Sequence, residues 1–204
     1  HGLSALIRIE LPAEAVLQIA TVLLEQCDVR SVAQSQRHAA MDLALGLVRF
    51  HWPALAPSGT RLLLSAVRAL DGEKDPRNLL QYFRLLRQLC MRCSEDGLAG
   101  FGETLEEVFE SLSCYFPISF TPPPNDPYQI NAQHLLQSLL WTLRSSSKFA
   151  PYALRFLSEK LGEVTSGAGQ IDEDELLTTR LQVLQSFLGF NEYEVVIRSV
   201  APDR

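Results

Sequence analysis

The residues of this chain whose types and spacing are best suited to chemistry are the thiols of Cys90-Met91-Arg92-Cys93. Two thiolates at that spacing can grip zinc or an iron–sulfur cluster, or take part in thiol exchange. A structural zinc site needs four ligands, usually as a second close pair. Here Cys114 follows alone, twenty-one residues on, and His134 stands farther still. A redox CxxC belongs in a βαβ setting, and no such unit can be read in this sequence. Both thiols also fall on the apolar stripe of a helical run, where cysteine behaves as a small hydrophobe. Core packing is the expectation. A metal- or cluster-binding module through Cys90, Cys93 and Cys114 is the alternative.

The other reactive groups are dispersed. His38, His51 and His134 are isolated, and HExxH, GxSxG and GxxxxGK[ST] do not occur. "GLAGFGE" spaces Gly97, Gly100 and Gly102 wrongly for a dinucleotide turn and reads as an interhelix loop. Glu103, Glu106, Glu107 and Glu110 read as a solvated helix face, as do Asp172, Glu173, Asp174 and Glu175. Arg77, Arg84 and Arg92 share one face of their helix, either solvated or turned to an acidic partner. No catalytic constellation emerges, so neither an enzyme nor a cofactor is expected.

The elements that position these groups are helices. The chain has 204 residues, 47% of them hydrophobic, which suffices for a core. "PAEAVLQIATVLLEQC" sets Val16, Ile19, Leu23 and Cys27 on a helical stripe, and Pro12 suits its first turn. A second helix runs from about Val32 to Phe50, and "TRLLLSAVRAL" is a third. In "DPRNLLQYFRLLRQLCMRC", Asp75 suits the N-cap and Pro76 the first turn. Leu79, Phe83, Leu86, Cys90 and Cys93 then face inward, opposite Arg77, Gln81, Arg84, Gln88 and Arg92. "ETLEEVFESLSCYF" spaces Thr104 and Glu107 as a capping box. Asn131 suits the cap of "NAQHLLQSLLWTLRSS". "APYALRFLSEKLG" is expected to stop at Gly162, followed by a flexible loop over 162–172. "DEDELLTTRLQVLQSFLGF" is helical again, and "EYEVVIRSV" is helix or strand.

Alternate helices begin roughly 40–47 residues apart over the first half, the period of HEAT and armadillo arrays. The expected fold is therefore all-α: a HEAT/armadillo-like solenoid of about four helix pairs, with a closed bundle as runner-up. The chain has no initiator Met and "LSALIRI" resembles a helix entered partway, so residues 1–204 read as one segment of a longer array. The net charge of −6 argues against direct nucleic-acid binding. No apolar run nears the roughly 18 residues of a membrane span, and no signal peptide is read.

Two connectors interrupt the helices. "SCYFPISFTPPPNDPYQI" carries Pro122, Pro123 and Pro124, which are expected to form an extended, stiff strut within 117–127. Asn125-Asp126-Pro127 then suits a turn. The charged turn Asp71, Glu73, Lys74, Asp75, Arg77 and Asn78 precedes a helix. Each connector either fixes repeat geometry or offers a partner contact, so these residues, with Pro122, Pro123, Pro124, Asn125 and Asp126, are the candidate partner-binding set.

"DGEKDPRNLL" and "SCYFPISFTPPPNDP" resemble two stretches of one family: the large HEAT-repeat protein of cytosolic iron–sulfur assembly, Mms-nineteen in animals and Met-eighteen in yeast. "VRSVAQSQRHAAMDLAL" and "SKFAPYALRFLSEKLGEV" are similar in placement to the same N-terminal domain. Cys90 and Cys93 are not part of that pattern, and "TSGAGQIDED" resembles an insertion. The resemblance implies a non-catalytic adaptor, cytoplasmic and nuclear. Such adaptors work with a WD-repeat propeller and a small partner subunit, which together form a targeting complex. They pass clusters to client apoproteins of DNA replication, repair and transcription, including the TFIIH helicase. It also implies that the C-terminal part docks the other subunits and that the N-terminal part faces clients or regulates. A transport-receptor fragment is the generic alternative.

Overall fold

The computed structural model describes residues 10–25, 29, 31–69, 71–166 and 177–186. Among them every regular element is helical: α1 (Ala13–Glu25), α2 (Gln34–Phe50), α3 (Trp52–Leu55), α4 (Gly59–Ala69), α5 (Pro76–Glu95), α6 (Phe101–Ser113), α7 (Ala132–Leu143) and α8 (Ala150–Ser166). A further helix, α9, covers 177–186. The expected all-α class is what the chain adopts.

The helices stack in two rows. One row is α1, α4, α6 and α8, and the other is α2, α5 and α7, each helix touching the next in its row. Rungs join the rows where α1 meets α2 and α4 meets α5. This pattern follows from amphipathic helices joined by short turns. Along a row each helix covers a flank of the next, and at the rungs a helix buries a face against its sequence neighbour. The central helix α5 shows the consequence. Its buried residues Leu79, Tyr82, Phe83, Leu85, Leu86, Leu89, Cys90 and Cys93 cover far more than a narrow stripe. Of the five residues expected on its outer face, only Arg84 is exposed, because Arg77, Gln81, Gln88 and Arg92 are partly covered.

Polar ties cross between helices where a buried hydroxyl would otherwise lack a partner. Thr142 Oγ1 of α7 donates to the Phe83 carbonyl of α5 at 2.9 Å. The Tyr82 hydroxyl meets Ser111 Oγ of α6 at 3.1 Å, and Ser94 Oγ meets Ser146 Oγ at 3.1 Å.

Four local expectations are corrected. In α1 the buried residues are Val16, Ala20 and Leu24, while Ile19 is exposed; the apolar face is rotated because α2 and α4 both pack on this helix. Cys27 lies outside the described residues. The box at Thr104 and Glu107 does not form. α6 starts earlier at Gly100, whose φ of 76° glycine accepts readily, and buried Thr104 Oγ1 donates to the Phe101 carbonyl instead. α8 runs through Gly162 to Ser166, so the expected loop over 162–172 begins with helix, and its remainder is outside the described residues. "LSALIRI", Asp172 to Glu175 and "EYEVVIRSV" lie outside them as well. Fourth, the turn after the prolines begins earlier than Asn125-Asp126-Pro127. The Asp126 N–H donates to the Pro123 carbonyl at 3.2 Å, and Asn125 has a φ of 63°. Pro124 and Asn125 are thus the two corners of a type II-like turn, whose second corner requires positive φ.

Candidate functional site

Cys90 and Cys93 have no exposed surface, whereas Cys114 is exposed. Cys93 Sγ lies 3.3 Å from where a Cβ on Gly59 would sit, beside Trp52 and Leu98. It fills the contact that lets α4 close on α5. Burial pushes the Cys90 thiol well above its ordinary value, and Cys93 up to about 12, with Asp96 adding to the second shift. Thiols held protonated are poor metal ligands and nucleophiles. Among the described residues no group of three or more His, Cys, Asp or Glu is placed to hold a metal ion.

The glycine loop is turn hardware. Gly97 follows α5 with a φ of 59°, and the Leu98 N–H donates back to the Cys93 carbonyl at 3.0 Å. That is the 6→1 bond of a glycine-closed helix end. Glu103, Glu106 and Glu110 are exposed, and Glu107 pairs with Arg68 at 3.1 Å. Asn131 caps α7 by accepting from the His134 N–H at 2.9 Å, and His134 Nδ1 accepts from the Asn131 N–H. So His134 serves a helix end.

The charged turn before α5 folds inward. Asp75 caps α5, its Oδ1 accepting from the N–H groups of Arg77 and Asn78 at 3.0 and 3.2 Å. This cap and the short 71–75 segment place Glu73 beneath α2. There Arg37 meets it in a fork: Nε to Oε2 at 2.7 Å and Nη2 to Oε1 at 2.9 Å. Glu73 Oε1 also accepts from the N–H groups of Lys74 and Asp75, and Oε2 accepts from Asn78 Nδ2 at 2.9 Å. Arg37 Nη1 donates to the Val32 carbonyl. Asn78 Nδ2 donates to the Gln34 carbonyl, and Gln34 Nε2 returns a bond to Asn78 Oδ1 at 3.0 Å. Glu73 is 1% exposed and Asn78 is 0% exposed, so neither side chain can reach a partner. Their place in the candidate partner-binding set is corrected: they lock α2 to the start of α5. Asp71 and Lys74 are exposed, while Asp75 and Arg77 are half-buried.

Burial by itself would raise the Glu73 pKa. The bonds from Arg37, Asn78 and the Asp75 N–H outweigh it and hold the carboxyl below its ordinary value of 4.5. Removing two charges from water costs several kcal/mol per ion, which the forked geometry only roughly offsets. The pair therefore specifies how α2 and α5 sit more than it adds net stability. Sequence reasoning passed over Arg37, yet a signal existed. Arg37, Met41, Ala44 and Val48 are all buried at the i, i+4, i+7, i+11 spacing of one helix face, and an arginine on an apolar stripe needs a buried acid.

The proline connector is fixed at both ends and open at its tip. Near its start, the Ile118 N–H donates to Gln182 Oε1 at 2.8 Å, and Gln182 Nε2 donates to the Ile118 carbonyl at 2.9 Å. Phe116 packs edge-on against Phe156 of α8. Near its end, the Asp126 carboxylate accepts from the N–H groups of Tyr128 and Ile130 at 3.3 and 3.2 Å. Between these anchors Pro122, Pro123, Pro124 and Asn125 are exposed, and Asp126 is half-buried. Tyr128, also exposed, lies under the Arg77 guanidinium at 4.6 Å from its ring centroid.

The two connectors together border two grooves. One, of about 460 Å³, lies between the 71–79 turn and residues 114–120, with Lys74, Tyr115, Phe120 and Leu135 among its walls. The other, of about 540 Å³, lies between α2, α5 and residues 128–130. Neither joins an acid, a base and a nucleophile in a catalytic arrangement. Both have the character of surfaces on which another chain could lie.

Comparison with known proteins places this architecture. A family model described as "Dos2-interacting transcription regulator of RNA-Pol-II" matches residues 1–193. The chain is similar to the mouse "MMS19 nucleotide excision repair protein homolog", with 36% identity over 91% of the chain and 17% of the relative. The human homologue of the same name is 34% identical over the same shares. The yeast (Saccharomyces cerevisiae) relative, a "DNA repair/transcription protein" that carries both the Met-eighteen and the Mms-nineteen names, is 37% identical over 58% of the chain and 11% of its own length. The chain thus spans about a sixth of its mammalian relatives. No solved structure matches.

Proposed function

The chain belongs to the MMS19 family, matching its N-terminal domain, and on that premise we propose that it is a non-catalytic recruiting arm of a helical adaptor for cytosolic iron–sulfur protein assembly. Its clients would be apoproteins of DNA replication, repair and transcription, the TFIIH helicase among them. The WD-repeat and small subunits of the targeting complex would engage parts of the protein beyond this segment. The work would be done in the cytoplasm and nucleus. The relatives' names speak of excision repair and of transcription, which fits clients in those pathways.

The observation that carries this reading is the family match across a two-row helical array whose polar clusters are spent on structure. Glu73, Asn78, Arg37 and His134 all serve helix placement or capping, and Cys90 and Cys93 serve packing. What is left on the surface is a set of grooves and exposed connectors, which suits contact with other proteins and leaves chemistry to them.

The test is capture of purified prey by the 204-residue chain, with the targeting subunits and a cluster-free client helicase offered separately. Retention of the helicase and not of the targeting subunits is the expected result. Retention of neither overturns the recruiting role.

A further inference from the structure

Two helices of this acidic protein carry opposite charge, α6 and α5. α6, in one row, carries Glu103, Glu106, Glu107 and Glu110 and no Lys or Arg. α5, in the other, carries Arg77, Arg84, Arg87 and Arg92, and its one acid is the terminal Glu95. α7, next to α5, has no charged residue along its length. The larger groove opens on this second row. Its lining includes Arg77, Arg84 and His38 and no Asp or Glu, although the chain as a whole has a net charge of −6.

The walls of the groove are held in place before any ligand arrives. Arg77 is set by Asp75, which accepts from its Nε and Nη2 at 3.2 and 2.9 Å, and by the Tyr128 ring beneath it. His38 Nδ1 is 3.1 Å from Asn78 Oδ1, within the buried polar cluster. Arg84 differs. It is exposed, and among the described residues its one polar contact is a long 3.5 Å bond to Gln81 Oε1. It has no carboxylate partner among the described residues. Leu80 and Ile130 supply apolar floor, and Tyr128 an exposed aromatic rim. A guanidinium without an acid beside a preset apolar floor is complementary to a chain that alternates carboxylates with an apolar side chain.

We propose that this groove docks an acidic peptide segment of a protein partner. A carboxylate lies on Arg84 as a forked pair, and a neighbouring apolar or aromatic side chain lies between Leu80, Ile130 and Tyr128. A protein segment fits better than a nucleic acid. Nucleic-acid binding draws on counterion release from many phosphates, and a groove with two arginines neutralises too few of them, whereas one or two carboxylates match it. The proposal deepens the recruiting role above and rests on it, by giving the client side a chemistry.

The test uses the intact protein and a fluorescein-labelled short peptide of aspartates and glutamates flanking one phenylalanine. Polarisation is read against a lysine peptide of equal length and against oligo-dT. The acidic peptide is expected to bind best, and to bind less well as salt rises. Arg84→Glu should weaken it tenfold or more, Arg84→Lys should restore part of the loss, and Glu106→Gln on the other row should change it less than twofold. Because Arg84 is exposed and outside the buried cluster, unchanged helical circular dichroism is expected in both Arg84 variants. No binding of the acidic peptide, binding indifferent to Arg84→Glu, or tighter binding of oligo-dT each overturns the proposal. If the peptide fails while the helicase is still captured, recruitment stands and uses another surface.

Discussion

The turn at 71–78 and the proline connector at 117–127 look alike as sequence: each is a short polar or stiff insertion between helices. In the folded chain they solve the same problem by opposite means. The turn carries its charge inside. Glu73 sits under α2, received by Arg37 and by the backbone of the turn itself. The connector keeps its distinctive residues outside and is held by backbone at its ends, at Ile118 through Gln182 and at Ile130 through Asp126. The difference teaches where an interruption in a helical array becomes structural. It does so where backbone or charge is desolvated, and the exposed part between is free to be used or ignored.

The hardest blow to this contrast is Glu73→Ala. It removes the carboxylate that Arg37 grips as a fork, and breaking one side of such a buried pair costs about 3–5 kcal/mol. Urea unfolding followed by circular dichroism should show that loss. Replacing both partners together, Arg37→Met with Glu73→Leu, should recover most of it. Acid sharpens the same point. Because the folded Glu73 pKa is lowered, its stabilisation is present above the ordinary value of 4.5 and is lost as pH falls through and beneath it. Glu73→Gln should flatten that part of the stability–pH curve. A flat curve in the unaltered protein would mean that the fork is not formed.

A smaller effect is expected at the anchored end of the connector. Gln182→Ala strips the partners from a buried N–H and a buried carbonyl of Ile118, worth about 1–3 kcal/mol. Protease cleavage within 117–127 should rise with it, since the anchor is what restrains that end. The smallest effect belongs to the exposed prolines. Glycine in turn at Pro122, Pro123 or Pro124 should cost roughly 0.4–1 kcal/mol per position, through a more disordered unfolded chain. A loss at the prolines equal to that at Glu73 would erase the distinction between the two connectors.

Much of the fold was legible because its causes are local. Asp75-Pro76 marks the start of α5, Asn131 that of α7, and the spacing of Leu79, Phe83, Leu86, Cys90 and Cys93 marks the face that α5 buries. Errors arose where a neighbour overrode the local pattern. The α1 stripe turned because two helices share it, and the cap of α6 moved to Gly100. The candidate site was less legible. Its residues were singled out as a charged turn, yet the sequence does not say which of Asp71, Glu73, Lys74 and Asp75 points inward. Tyr128 and Gln182 gave no warning at all, being an isolated aromatic and an isolated amide whose partners are Arg77 and Ile118.

By itself, then, the sequence determined the helical class, most helix starts, the packing role of Cys90 and Cys93 and the family. Helix periodicity, capping and turn chemistry act over a few residues, and a family's characteristic stretches are carried in the letters themselves. Only the tertiary structure decided that Arg37 would meet Glu73 across 36 positions, that Gln182 would hold Ile118 across 64, and that Arg77, Arg84 and Tyr128 would border one groove. Those outcomes depend on which helix lies beside which. That is set by the summed burial of many side chains, and no single stretch of the chain contains it.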